Sequence, residues 1–293
     1  MKPLLTVFTP AYNRAYTINK CYESLKRQTN KSFKWLVVDD GSTDNTKELI
    51  MKWKGEADFE ITYIYKENGG MHTAHNTAYK NIDTELNVCI DSDDYLTDDA
   101  VEIIVKEWKK VKSDKLAGIG ALDIFESGEI IGSKFPKDLK QSKYFDIYNK
   151  YGVMGDKKFI YRTDLIKKFP YPEYEGEKYV GLDYKYKKLD ENYELALVNK
   201  GICVVEYMED GSSRNMLRQY INNPNGWCFF RLENLKIRGT SLRYKFKESI
   251  HYVSSSFIVE DKNFLSKTPY KLLAIFAIPF GLALNMYIKK KVK

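Results

Sequence analysis

The chain has 293 residues, a net charge of +7, 43% hydrophobic and 30% charged residues. Those values belong to a folded globular chain with room for one large domain or about two. They exclude whole-chain disorder, and a negative mean hydropathy excludes a polytopic membrane protein. The charge is uneven: from Phe229 onward there are 13 Lys/Arg against 4 Asp/Glu, while the preceding body is near neutral. Four scattered cysteines (Cys21, Cys89, Cys203, Cys228) form no C-x-x-C and have no histidine pair at ligand spacing. This argues for reduced thiols in a cytosolic chain, against a disulfide scaffold or a zinc module. Met1-Lys2-Pro3 runs straight into an apolar stretch, without the pattern of a secretory signal.

In chain order, Leu4 to Thr9 reads as a β-rich run ended by Pro10, and Tyr16 to Gln28 has helical spacing. Phe33 to Val38 is a second apolar run, stopped by Asp39-Asp40-Gly41-Ser42. Thr43 or Asp44 then caps a helix reaching Trp53. Ile61 to Tyr65 is a third strand, Asn68-Gly69-Gly70 a turn, and Thr73 to Asn81 a helix. Leu86 to Ile90 is a fourth strand, ended by Asp91-Ser92-Asp93-Asp94, with a helix from about Thr97 to Lys112 after it. The alternation predicts a mostly parallel, Rossmann-like sheet flanked by helices.

Three polar clusters follow the carboxyl ends of apolar strands: Ala11-Tyr12-Asn13-Arg14, Asp39 to Ser42, and Asp91 to Asp94. In an open α/β sheet that edge is where ligands bind. Asp91, Asp93 and Asp94 concentrate negative charge at the end of a core strand, which needs a cation or hydrogen-bond donors to balance it. Oxygen ligands suit Mg²⁺ or Mn²⁺, whose shell would be shared with water and a substrate diphosphate. An acidic N-cap for the next helix accounts for the same residues, and an Asp-Asp-Gly-Ser turn accounts for Asp39 and Asp40. No G-x-G-x-x-G follows the first strand, and the chain has no P-loop pattern.

Thr9-Pro10-Ala11-Tyr12-Asn13, Val37 to Asp44, and Cys89-Ile90-Asp91-Ser92-Asp93-Asp94, in this order and spacing, resemble the family 2 glycosyltransferases of the GT-A fold. Asn68-Gly69-Gly70 with Ala74-His75-Asn76-Thr77-Ala78 resembles that family's Asn-x-Gly…Ala-x-Asn segment. The resemblance covers about the first 110 residues. It implies nucleotide contacts at Pro10, Ala11, Tyr12, Asn13 and Asp40, and substrate-binding roles for Asn68, Gly70, Asn76 and Ser92. It further implies a ribose or diphosphate contact at Asp91 and a metal ligand, for Mn²⁺ or Mg²⁺, at Asp93. In inverting members a carboxylate in the second half deprotonates the acceptor hydroxyl. This chain has Glu177-Lys178 where a Glu-Asp pair is usual. Glu177 is therefore the expected base, with Asp156, Glu175 and Asp183 as alternatives and plain surface charge as the bland reading. The Gln-x-x-Arg-Trp motif of processive synthases is absent, and Arg218-Gln219-Tyr220 does not reproduce it, which favours transfer of one sugar per encounter. A polar loop from Glu206 to Arg214 places Arg214, or Arg218 beyond it, as a contact for leaving-group phosphate.

The expected organisation is a GT-A domain over 1–228, divided into a nucleotide-sugar half (1–112) and an acceptor half (113–228). A basic and apolar helical extension over 229–293 follows. Leu272 to Ile288 is a 17-residue apolar run interrupted by Pro279, Gly281 and Asn285, short of a bilayer span and flanked by Lys267, Lys271 and Lys289 to Lys293. That pattern suits a helix lying in a membrane interface, at the inner face of the cell membrane. A closing core helix and an oligomer contact are its other readings. Nucleic-acid binding accounts for the lysines but leaves the apolar run unexplained. The expected partners are a nucleotide-sugar, in the first place a UDP-sugar, and a lipid-linked or glycan acceptor of bacterial surface polysaccharide synthesis. The competing reading of the whole chain is a catalytically degenerate domain acting as a membrane-bound assembly partner.

Overall fold

The computed structural model describes residues 3–206 and 216–292. The chain divides into two compact units. The first holds the described residues of 1–68, 74–170 and 188–208, and contains the whole sheet.

Its elements run β1 (Leu5–Ala11), α1 (Ile18–Lys26), β2 (Phe33–Asp39), α2 (Thr46–Glu56), β3 (Ile61–Tyr65), α3 (Met71–Asn81), β4 (Leu86–Cys89), β5 (Tyr95–Leu96), α4 (Ala100–Val111), β6 (Leu116–Ile124), β7 (Gln141–Ser142), α5 (Tyr144–Asn149), β8 (Lys157–Arg162), α6 (Thr163–Ile166) and β9 (Glu194–Val204). The strand order is β3-β2-β1-β4-β8-β6-β9-β5, with β7 beside β9. The four strands β3, β2, β1 and β4 are parallel. β8 inserts antiparallel between β4 and β6, and β6 pairs parallel with β9, so the complete sheet is mixed.

Every residue of β1 is buried, as expected of a central strand covered by helices on both faces. Tyr22 of α1 stacks on Trp53 of α2 at 4.3 Å, and the Trp35 indole of β2 donates to the Thr9 hydroxyl at 3.0 Å. α4 buries Ala100, Val101, Ile104, Val105 and Trp108, the stripe expected of a surface helix.

Pro10 does not end the first strand. β1 continues to Ala11, with Pro10 opposite Val38. Pairing with β4 stops at Phe8 and Cys89, so Pro10, which has no N–H, lies where one flank of the strand is open. The short strand β5, unanticipated from the sequence, pairs with the end of β9.

The second unit gathers residues 69–73, 171–187 and the described part of 209–293. It contains α7 (Tyr184–Leu189) up to Lys187, then α8 (Met216–Asn222), α9 (Pro224–Leu235), α10 (Leu242–Val259), α11 (Phe264–Lys267) and α12 (Lys271–Val292). α12 is one helix of 22 residues that runs through Pro279, Gly281 and Asn285. Two of those apparent interruptions form its contact with α10. A Cβ on Gly281 would stand 2.5 Å from Val253, and the Asn285 amide donates to the Ser254 carbonyl at 3.1 Å. Ala274, Ala277, Gly281, Asn285 and Ile288 are buried, while Leu272, Phe276, Phe280 and Met286 are exposed. Small residues therefore face protein and large apolar residues face outward. This reverses the usual distribution of a soluble surface helix.

Candidate active site

The register of the parallel strands places the three polar clusters together. Ala11 is opposite Asp39, Phe8 is opposite Cys89, and the amide of Ile90 donates to the Phe8 carbonyl. Asp40 N donates to the Ala11 carbonyl at 2.8 Å. All three clusters thus emerge at the carboxyl edge of the sheet.

The first two loops are laced to each other. Asn13 sits in the left-handed region at φ 52°, which asparagine tolerates. Its N–H donates to the Ser42 hydroxyl at 2.9 Å, and its side-chain oxygen accepts from Thr43 N at 2.8 Å. Asp44 accepts from Ala15 N and from Thr46, and these bonds hold its carboxyl below the usual range against the opposing effect of burial. Pro10 and Ala11 lie in the strand, and Tyr12 projects, about half exposed.

Asp39 and Asp40 are both buried yet have different surroundings. Asp39 accepts from Ser42 N at 2.8 Å and from the Tyr63 hydroxyl at 2.6 Å, so its oxygens shape the turn. Asp40 meets the Lys66 ammonium at 2.6 Å, and the Asn68 amide donates to its carbonyl at 2.7 Å. Gly41 has φ 86° and lies against Asn68, where a Cβ would come within 2.8 Å of the backbone nitrogen.

The third cluster closes as a turn in which Asp94 N donates to the Asp91 carbonyl at 3.1 Å. Ser92 and Asp94 are buried, while Asp91 and Asp93 are partly exposed. Asp94 points inward to Lys158 of β8 at 3.3 Å, and Lys158 also stands 4.0 Å from Asp123 of β6. Burial, reinforced by the neighbouring carboxylates, pushes Asp94 up to about 7 even against Lys158. Burial also raises Asp123, to about 6. Burial alone would lower Lys158, but Asp123, Cys203, Asp94 and Asp91 together hold it well above the ordinary lysine value, so it stays charged.

Asp123 and Lys158 were not singled out in the sequence. The available signal was Asp123, the one charged residue in the otherwise apolar run of β6, which needs a buried partner; β8, with two lysines and an arginine among its six residues, did not mark which of them supplies it. Lys66 and Tyr63 were missed for a similar reason, since each becomes informative only when β3 lies beside β2.

The remaining expected residues are dispersed. Asn76 is buried on α3 in the first unit. Asp156 is exposed at the head of β8, and its charge acts on Asp123. Gly70 belongs to the second unit, at φ 90°, where a Cβ would lie 2.0 Å from the Lys178 carbonyl oxygen. Packing alone therefore demands glycine there. Glu177, also in the second unit, accepts from Asn225 N at 2.9 Å, Asn225 Nδ2 at 2.7 Å and Gly226 N at 2.8 Å. It satisfies the orphan amides at the start of α9, and Asn223 returns the contact by accepting from Lys178 N at 2.6 Å. Asp183 pairs with Lys187 at 2.7 Å. Arg214 lies outside the described residues.

No group of three or more His, Cys, Asp or Glu side chains arranged to hold a metal occurs among the described residues. Asp91 and Asp93 offer two hard carboxylates, which fits a cation that completes its shell with phosphate oxygens and water.

Residues 6–169, more than half of the chain, match the model of glycosyl transferase family 2. The chain belongs to that family. It is 31% identical over 165 residues to glycosyltransferase GlyA of Streptococcus pneumoniae, and 40% identical over 111 residues to a chondroitin synthase of Pasteurella multocida. Those stretches are 56% and 38% of this chain but only 23% and 11% of the relatives' lengths. Among solved structures, residues 1–349 of TarS from Staphylococcus aureus, in complex with UDP-GlcNAc, superpose with a TM-score of 0.65 at 19% identity. That match covers all of this chain and 91% of the other, and it shows the GT-A fold. For this member of the family the fold and family expected from the sequence are therefore borne out.

Proposed function

We propose that the protein transfers one hexosyl or N-acetylhexosaminyl group, with inversion, from a UDP-sugar to a hydroxyl of a lipid-linked or glycan acceptor. The setting is bacterial surface polysaccharide synthesis at the inner face of the membrane. The observation that carries this reading is the convergence of three polar strand ends at one sheet edge, with Asp91 and Asp93 accessible and Asp94 tied inward. Membership of the family, a chondroitin synthase among its relatives, and a structural neighbour holding UDP-GlcNAc support the same chemistry.

In this reading Pro10 to Asn13 and Asp40 receive the nucleotide, with Asp40 accepting an N–H of the base. Asn68, fixed to Asp40, keeps that carboxylate in place. Asn76 and Ser92 line the sugar and ribose side, and Asp91 meets ribose or diphosphate. Asp93, with Asp91, would hold Mn²⁺ or Mg²⁺, which supplies positive charge against the departing diphosphate when bound. Asp156, exposed at the head of β8 and acting electrostatically on Asp123, accepts the proton of the attacking hydroxyl. Glu177 is assigned a positioning role, because both its oxygens already serve α9. Arg214 remains a proposed phosphate contact. The outward apolar residues of α12, with Lys289 to Lys291 in its last turn, would hold the enzyme peripherally on the membrane near a lipid-linked acceptor.

A thermal-shift panel of nucleotides and nucleotide-sugars, with and without Mn²⁺, tests the donor site. A ligand bound only by the folded state raises the melting temperature by mass action. The expected result is a UDP-dependent rise that requires Mn²⁺ and is lost in Asp93→Ala, with that variant otherwise melting like the parent. No response to any nucleotide, together with no hydrolysis of nucleotide-sugars, would favour the degenerate assembly partner.

A further inference from the structure

Consecutive lysines open β8 and point to opposite faces of the strand. The Lys157 ammonium donates to four backbone carbonyls, those of Ile131, Met154, Gly155 and Asp156, at 2.8 to 3.2 Å. It closes a loop and touches no carboxylate in those bonds. Lys158 faces the other way, between Asp94 and Asp123, with its side chain only 12% exposed. Asp123 is 2% exposed, and its Oδ1 has no hydrogen-bond partner. A buried carboxylate oxygen left in that state is costly unless a positive charge stands nearby. At 4.0 Å, Lys158 supplies that charge without a hydrogen bond.

We propose that Lys158 is the internal counter-cation of the Asp91–Asp94 turn. It occupies the inner half of the aspartate cluster and thereby reserves divalent-cation binding for the donor-bound state. This inference rests on the proposed donor site, with Asp91 and Asp93 as its outer carboxylates. Four aspartates, Asp91, Asp93, Asp94 and Asp123, act electrostatically on one another. Without Lys158, Asp94 and Asp123 would lose the cation that stands between them, and their negative charge would add to that of Asp91 and Asp93 and draw a hard cation to the turn. With Lys158 in place, Asp94 is turned away and two carboxylates remain. Two are too few to strip a hydrated ion, so the diphosphate must bring the missing oxygens. Lys158 acts through the aspartates and is a positioning residue.

The test measures Mn²⁺ binding directly, by loss of the free-ion electron paramagnetic resonance signal, on the full chain with and without UDP. The parent protein should bind Mn²⁺ only when UDP is present. Lys158→Met should bind Mn²⁺ without nucleotide, about tenfold tighter or more, the scale of one pK unit of interaction. Lys158→Arg, which restores the charge, should return the dependence on UDP. Should the methionine variant fail to fold, Lys158→Gln removes the charge while keeping a donor between the two acids. A parent that binds Mn²⁺ with UDP, joined to a neutral variant that still requires UDP, overturns the role of Lys158 alone. A parent that binds no Mn²⁺ even with UDP overturns the donor-site reading, and this inference with it.

Discussion

At the scale of single residues, a side chain's use depends on who its neighbours are. Glu177 has the residue type and chain position of a proton acceptor, but three donors at the start of α9 engage it. Glu177→Gln should therefore lower the melting temperature by several degrees, consistent with about 1–3 kcal/mol for disturbing partly buried, charge-assisted hydrogen bonds. Asp156→Asn should leave the melting temperature unchanged and reduce kcat by at least about a hundredfold, with little change in donor KM. Calorimetry and steady-state kinetics on the pair separate the two roles, and an active Asp156→Asn enzyme would reject the assignment of the base.

Lys185 is another case. It is buried in α7, its ammonium lies 4.3 Å from the centroid of the Tyr171 ring, and burial lowers it from 10.5 to about 7. Between pH 7 and 10.5 the unfolded chain holds this proton while the folded chain does not, so stability rises with pH across that window and falls as pH drops toward 7. The gap corresponds to about 4–5 kcal/mol, an order-of-magnitude figure. Lys185→Met should be more stable than the parent near pH 7, and the advantage should shrink toward pH 10 in urea titrations. A constant difference would show that Lys185 is not titrating as described.

At the scale of elements, what was legible in the sequence was local and what was missed was relational. β3 runs from Ile61 to Tyr65 as its β-branched and aromatic pattern predicts, and α4 follows its apolar spacing. The three Asp- or Asn-bearing loops could be placed at one edge because strand–helix alternation dictates a parallel sheet. Asp94, Asp123 and Lys158 come from three separate places in the chain, and no spacing rule links them before β8 slots between β4 and β6. Pro10 and Pro279 look like stops, yet each lies inside an element. Gly281 also looks like a break, but it lets α12 approach α10. Gly281→Val should force Val253 aside and lower the melting temperature by about 2–8 °C, from an overpacking cost of about 1–3 kcal/mol. An unchanged melting curve would mean that the two helices do not pack closely in solution.

At the scale of the whole molecule, the unevenness of charge meets the reversed pattern of α12. That helix is long and apolar enough to cross a bilayer by length and composition, and only 28% of its most apolar window is buried. The proposed peripheral contact predicts co-sedimentation with vesicles containing anionic lipid and much weaker co-sedimentation with neutral ones, the difference fading as salt is raised. Phe276→Asp combined with Phe280→Asp should abolish binding while hydrolysis of the UDP-sugar in solution persists. Self-association of the parent without vesicles, lost in the same double variant, would instead mark this face as a contact between copies.

The second unit is assembled from three stretches of chain, and its smallest contribution is the segment around Gly70. That glycine fits under the Lys178 carbonyl, although the two are about a hundred residues apart in sequence, a separation that makes closure slow. During vectorial synthesis the first turn of α3 therefore emerges long before its partner exists. The stretch matching the family model ends at residue 169, ahead of Lys178, so a fragment cut at that boundary would carry this turn unmatched. A segment from the second half of the polypeptide thus packs on the turn that opens a helix made in the first third.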